Sequence, residues 1–209
     1  NILELVRKHE ARMVHVSTDE VYGHLGKDDP PFTEESTLAP RSPYSATKAG
    51  SDLLVQSYIE TFGINASITR CCNNFGPRQG DEKLIPTVIR SIVKGDKIPV
   101  YGTGENIREW IHAQDHAKAI LEVLEDDVPA KVYNIPGSKI CDNLKIIKTI
   151  IKKIESLFPE YKRKSDDYRK GHDFKYELST KHNLTSIKKQ LKFNLESTVK
   201  YYVEKYKAS

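Results

Sequence analysis

Short β-branched apolar runs alternate with helix-length segments along this chain, and that alternation constrains its fold more than any other feature. Residues 13–17, MVHVS, read as a buried strand. A loop rich in Gly, Pro and Asp follows, from Gly23 to Pro31. Ser42-Pro43 then opens a helix, with Pro at the first helical position, and Gly63 stops it after Phe62. Residues 65–70, NASITR, read as the next strand, and 71–82 as a loop around Gly76-Pro77. Further helices are expected at about 84–94, 114–125, 143–157, 181–190 and 195–206, and short strands at 98–101, 107–111 and 132–135. Strand–helix alternation implies an α/β fold with a mostly parallel sheet and helices on both faces.

With 38% apolar and 30% charged residues, the chain can bury a core and is not expected to be disordered. No run of about 18 apolar residues occurs, and no signal-peptide pattern opens the sequence, so neither a membrane span nor a secretory leader is expected. Three cysteines, two of them adjacent (Cys71, Cys72), argue against a disulfide framework and for a reducing, cytoplasmic setting. No Cys/His cluster has zinc spacing, so no metal is expected.

Charge is uneven. Residues 1–138 hold 15 basic and 20 acidic residues, a net of −5. Residues 139–209 hold 18 basic and 9 acidic, a net of +9, and the two make the chain's +4. A basic block can serve nucleic acid, an anionic membrane or an anionic small substrate, or be a solvated Lys-rich surface. The lysines are interleaved with Ile146, Ile147, Ile150, Ile151 and Ile154, and no aromatic–basic alternation marks a stacking platform for single strands. Neither a nucleic-acid nor a membrane partner is expected.

Five constellations carry possible chemistry. Ser17-Thr18-Asp19-Glu20 follows the first strand, and ligands of open α/β sheets bind at strand carboxyl ends. Adjacent carboxylates in unlike environments can hold different protonation states, giving one acid and one base. Tyr44 and Lys48 lie four apart on one helix face, where an ammonium lowers a phenol's pKa and makes it a usable base. Such a pair also arises by chance in a chain with 11 Tyr, and Tyr201/Lys205 is read as surface. Asn73-Asn74-Phe75-Gly76-Pro77, with Glu82-Lys83-Leu84-Ile85-Pro86, faces the same sheet edge. Tyr101-Gly102-x-Gly104 with Arg108, and Arg169-Lys170-Gly171-His172-Asp173, offer arginines suited to phosphate. Taken singly, each also reads as turn, loop or surface.

Taken in order, Ser-Thr-Asp-Glu-Val-Tyr-Gly (17–23), Pro-Tyr-Ser-Ala-Thr-Lys-Ala (43–49), Asn-Asn-Phe-Gly-Pro (73–77), Glu-Lys-Leu-Ile-Pro (82–86) and Arg-Lys-Gly-His-Asp (169–173) closely resemble the nucleotide-sugar 4,6-dehydratases of the dTDP-glucose type. These are extended short-chain dehydrogenase/reductases, and the resemblance runs through nearly the whole chain. It implies an NAD-dependent hydro-lyase of deoxysugar biosynthesis that turns dTDP- or UDP-glucose into the 4-keto-6-deoxy sugar. Hydride leaves C4, water is lost across C5–C6, and hydride returns to C6.

Carried over residue by residue, the resemblance implies that Tyr44 takes the C4 hydroxyl proton, tuned by Lys48, which also binds the nicotinamide ribose. Thr18 hydrogen-bonds the reacting hydroxyl, Glu20 takes the C5 proton and Asp19 protonates the departing oxygen. Ser17 lines the nicotinamide side, and Asn73 faces both cofactor and sugar phosphate. Lys83, Leu84, Tyr101, Arg108, Asn143, Arg169 and His172 line the nucleotide-diphosphate pocket. Related epimerases and decarboxylases share the Tyr/Lys pair but usually lack Asp-Glu, so a UDP-sugar 4-epimerase or decarboxylase is the alternative. The chain departs from the family pattern at Cys72, Lys170 and Phe174, and the choice between dTDP and UDP stays open.

The fold implied is a partial Rossmann-type doubly wound parallel sheet plus a smaller C-terminal α/β substrate domain. Residues 1–73 and about 106–136 are assigned to the first, and about 74–105 and 137–209 to the second. A homodimer is implied through the 43–62 helix, which offers Leu53, Leu54, Tyr58 and Ile59 for core or interface. The sequence opens without Met inside an apparent helix, and no G-x-x-G-x-x-G turn occurs among its 11 glycines. The expectation is therefore the C-terminal two-thirds of a longer dehydratase, unable by itself to hold NAD.

Overall fold

The computed structural model describes residues 1–26, 28–126, 131–162, 168–171, 179, 191 and 193–208, with backbone alone at 101–103 and 168–171. The chain opens with α1 (Ile2–His9), β1 (Met13–Thr18) and a 3-10 turn at Asp19–Tyr22. Then come α2 (Pro43–Phe62), β2 (Ala66–Cys71), β3 (Asn73–Phe75), α3 (Leu84–Lys94), β4 (Ile98–Thr103) and β5 (Ile107–His112). The last elements are α4 (Ala113–Glu125), β6 (Val132–Ile135), β7 (Lys139–Asp142), α5 (Asn143–Leu157), β8 (Tyr168–Gly171) and α6 (Glu196–Lys207).

Punctuation residues set these boundaries. Ser42 N donates to Ser45 Oγ at 3.0 Å and Ser45 N to Ser42 Oγ at 3.1 Å, a reciprocal cap that starts α2. Gly63 ends it at φ 63°, in the left-handed region that glycine enters without strain. The helices at 43–62, 84–94 and 143–157 run as the sequence predicts. The expected helix at 181–190 lies outside the described residues.

In place of one sheet there are three small ones. The first is parallel, β1-β2-β6, with Thr18 opposite Cys71 and Cys71 opposite Ile135. In the second, β5 pairs parallel with β3 and antiparallel with β7. The third pairs β4 with β8. β3, β7 and β8 are too short to announce themselves by period, and β3 lies inside the stretch expected to be loop.

Helices cover both faces of the first sheet, as the period of β2 requires. Ala66 and Ile68 pack with Val6 of α1 and Val55 of α2, and Arg70 on the same face reaches Asp52 of α2. Ser67 points the other way, where Arg12 bridges it to Val123 O of α4. A second core joins α3, α5 and α6 through Ile85, Ile89, Ile146, Ile150, Ile154 and Val203. Each buried Ile contributes about 1.5–3 kcal/mol, which outweighs the modest helix propensity of β-branched residues on α5.

Candidate active site

β1 and β2 end side by side, and their carboxyl ends open onto a cleft of about 380 Å³. At Thr18 the strand turns sharply. Thr18 Oγ1 accepts from Glu20 N at 3.3 Å, capping the 3-10 turn, and donates to Asp19 Oδ1 at 3.2 Å. Gly23 closes the turn at φ 90°, where an added Cβ would lie 2.5 Å from Ala39 O, so only glycine fits. Beneath the turn, Tyr22 Oη donates to Asn134 Oδ1 at 2.7 Å and accepts from Arg70 Nη1 at 2.8 Å. Arg70 Nε in turn donates to Asp52 Oδ2 at 2.9 Å. This buried chain ties the turn, β2, β6 and α2 together.

The capped start of α2 brings Tyr44 and Lys48 to the same cleft, which Ser17, Thr18, Asp19, Glu20, Asn73 and Lys83 also line. Eight residues singled out in the sequence therefore share one site. Lys48 Nζ donates to Val16 O at 2.6 Å.

The two carboxyls meet unlike environments. Asp19 is 4% exposed, and burial, then the charge of Glu20, pushes it up to about 7 against the pull of Thr18 and Arg108. Its Oδ2 has no hydrogen-bond partner among the described residues. Glu20 is only half-buried. The Tyr44 phenol is also raised, first by burial and then by Glu20, Cys71 and Asp19. That direction is opposite to the one the Tyr/Lys spacing leads to expect. The reason is local: Lys48 is drawn to a backbone carbonyl, and carboxyls crowd the phenol. Burial pushes Cys71 up to about 12 and Cys72 well above the usual thiol range, so both are inert walls rather than nucleophiles.

The profile of the NAD dependent epimerase/dehydratase family matches residues 1–136. The chain belongs to that family. A dTDP-glucose 4,6-dehydratase of Neisseria meningitidis is 42% identical over 195 residues, which cover 84% of this chain and 55% of that protein. The crystal structure of DesIV, a dTDP-glucose 4,6-dehydratase of Streptomyces venezuelae solved with NAD, superposes with TM-score 0.84 at 36% identity, covering 97% of this chain and 63% of the other. The Bacillus anthracis dTDP-glucose 4,6-dehydratase in complex with NAD gives TM-score 0.80 at 39% identity, covering 100% and 66%. The chain thus spans about half the length of the curated relatives it matches.

For a family member, the remaining residues named from sequence fall into three groups. Leu84 opens α3 and packs against the Ile-rich core. Arg108 on β5 is near enough to lower the Asp19 pKa, and its Nη1 donates to Ile107 O at 3.1 Å. Asn143 starts α5, where its N–H donates to Asn106 O at 3.1 Å. Tyr101 and Arg169 lie on the paired strands β4 and β8, known here by backbone alone, and His172 lies outside the described residues, as does Phe174. Asn74 of the Asn73–Pro77 constellation also lines the cleft wall, together with Cys71, Gln79 and His116, which sequence reading missed. A signal existed for Cys71, which follows a predicted strand. A single His in a polar first helical turn carries none.

Proposed function

We propose that this chain carries the acid–base centre and part of the substrate pocket of an NAD-dependent nucleotide-sugar 4,6-dehydratase acting on dTDP- or UDP-glucose. The observation that supports this reading is the Asp19-Glu20 pair, one carboxyl sealed and held up to about 7, its neighbour open to the cleft. Elimination of a poor leaving group needs a base and an acid held together, and this pair supplies both.

The residues present suit the reacting end of the cofactor: an ammonium, a phenol and a polar strand edge meet, with one buried carboxyl oxygen unpartnered. Ser17, Tyr44, Lys48 and Asn73 would hold it. When bound, NAD would supply the hydride acceptor that makes C4 a ketone and the donor that later reduces C6. Tyr44 takes the C4 hydroxyl proton while Thr18 hydrogen-bonds that oxygen. Because Asp19 and Glu20 oppose a phenolate, the Lys48 charge has to offset them. The ketone acidifies C5–H, and Glu20 accepts that proton. Asp19 passes its own proton to the C6 oxygen, which leaves as water.

Asn73, Lys83, Leu84, Tyr101, Arg108, Asn143, Arg169 and His172 form the nucleotide-diphosphate pocket in this reading, the arginines matching an anionic ligand. The proposed division puts residues 1–73 and about 106–136 in the cofactor domain and the rest in the substrate domain, with β5 bridging them through β3 and β7. Leu53 and Leu54 of α2, 57% and 58% exposed, form the proposed homodimer face. The three free cysteines fit a cytoplasmic setting. Among the described residues, no helix is long and apolar enough to cross a membrane.

The test is turnover of dTDP-glucose and UDP-glucose by the full-length protein. A 4-keto product, read by its absorbance in alkali, supports the dehydratase; a 4-epimer supports the epimerase alternative instead, and no turnover with intact NAD binding sinks both. Glu20→Gln should stop elimination while leaving reduction of bound NAD by substrate. Loss of both steps would remove the role given to Glu20.

A further inference from the structure

His116 stands in the first turn of α4, 8% exposed, and lines the same cleft as Asp19 and Lys83. Its Nδ1 lies 2.9 Å from Asn74 Oδ1. The proton on that contact is fixed by what Asn74 does on its other side. The Asn74 amide nitrogen lies 3.2 Å from Cys72 O, which only accepts, and 3.3 Å from Cys71 Sγ. That carbonyl demands an N–H, so the amide oxygen must face the imidazole. An amide oxygen also only accepts, so Nδ1 carries the ring hydrogen. Burial drives His116 away from its charged form, which leaves Nε2 as a bare lone pair. Nε2 is buried and has no hydrogen-bond partner among the described residues. An unmet buried acceptor is a cost that a donor on a ligand removes.

We infer that His116 is a ligand-binding residue of this cleft, its Nε2 accepting a hydrogen bond from a neutral donor, hydroxyl or carboxamide N–H, on the bound ligand. A deprotonated phosphate has no donor to offer, and Lys48 and Lys83 in the same wall disfavour a cationic one. Within the proposed reaction, on which this inference rests, the neutral donors at the reacting end are a hexose hydroxyl and, on NAD, the carboxamide or a nicotinamide-ribose hydroxyl. Asn74 is then a positioning residue that sets the tautomer.

The experiment compares His116→Phe, which keeps a ring without the acceptor, with His116→Gln, which restores an acceptor, in the full-length protein. Affinities for NAD, dTDP-glucose and dTDP are read by calorimetry. His116→Phe is expected to weaken one ligand about tenfold, with partial recovery in His116→Gln. Loss for dTDP-glucose but not dTDP places the donor on the hexose, and loss for NAD alone places it on the cofactor. All three affinities unchanged overturns the inference, and so does an equal loss for all three with a lowered melting temperature, which marks packing. If the wild type binds neither dTDP-glucose nor UDP-glucose, the dehydratase reading fails and the NAD arm still decides His116. Should His116→Phe not fold, histidine 15N spectra of the wild type decide. A bare Nε2 resonance that moves when ligand is added supports the inference; a protonated Nε2, or one indifferent to every ligand, overturns it.

Discussion

The two cores of this molecule bury different chemistry. Around β1, β2 and the start of α2 the interior holds Ser17, Thr18, Asp19, Asp52, Arg70 and Asn134. Around α3, α5 and α6 it is apolar, dominated by Ile and Val with Tyr202 and Tyr206, and charge stays at the rim. There Lys153 and Lys200 pair with Glu196, Lys207 with Glu160 and Lys205 with Asp81, all partly exposed. Apolar burial is non-directional and supplies stability. Buried polar contacts contribute less net energy, but they fix direction, which a reaction centre needs. The lysines of the C-terminal region therefore say little about function, while a few charges under β1 say much.

The sharpest way to break this comparison is at Asp52. It is fully buried, and although burial alone would raise it, contacts with His15, Ser17 and Arg70 hold its pKa below the usual range. Asp52→Ala leaves the Arg70 guanidinium, 1% exposed, without its carboxylate, and is expected to cost about 3–5 kcal/mol in denaturant unfolding. A loss below about 1 kcal/mol would mean that the network is not a structural tie. In the apolar core, Ile150→Ala is expected to cost about 3 kcal/mol through its cavity. It should leave the cleft's ligand affinities unchanged, whereas Asp52→Ala should not.

How much of this was legible in the sequence follows the same division. Pro43, Gly63 and the Ile spacing of residues 146–154 report local backbone and burial choices, so α2 and α5 could be read to the residue. Ser17 to Glu20 and Tyr44 to Lys48 could be placed because each stands a fixed step from a strand end or a helix cap. The Asp52–Arg70 pair could not, because its partners are 18 residues apart and only the packing of α2 on β2 joins them. His116 was silent for the same reason, its meaning residing in a contact with Asn74 from another element. The direction of the Tyr44 shift also depends on where Lys48 points, which the spacing of four leaves open.

Asp19 gives a smaller, pH-dependent effect. Its folded pKa, about 7, lies above the ordinary value of 3.8. A raised carboxyl contributes stability that is fully present below the ordinary value and is lost as pH rises through about 7. Asp19→Asn cannot ionise, so it should gain on the wild type as pH rises from 5 to 8, by about 1–2 kcal/mol, under the ceiling near 4 kcal/mol that the full shift sets. In the proposed reaction the same ionisation would remove the proton that Asp19 gives to the leaving oxygen, so any dehydration by the wild type should fall as pH rises through about 7. Melting curves that stay parallel across this range would show that Asp19 is not held neutral.

The smallest effect concerns a pair read from sequence as mere surface. Lys205 does not serve Tyr201; its Nζ lies 2.7 Å from Asp81 Oδ1. Tyr206 Oη donates to the same oxygen at 2.8 Å, and Tyr202 Oη donates to Gln79 O. The C-terminal helix thereby holds the loop that carries Gln79 and Lys83 into the cleft. Lys205 is 41% exposed, so solvent screens most of its attraction and Lys205→Ala should cost under about 1 kcal/mol of stability. If α6 acts only as core, ligand affinity should be untouched by that change. If it also steadies the loop, affinity for the sugar nucleotide should fall about two- to threefold with NAD affinity unchanged, a discrimination that the bulk apolar burial of Val199 and Val203 has no means to produce.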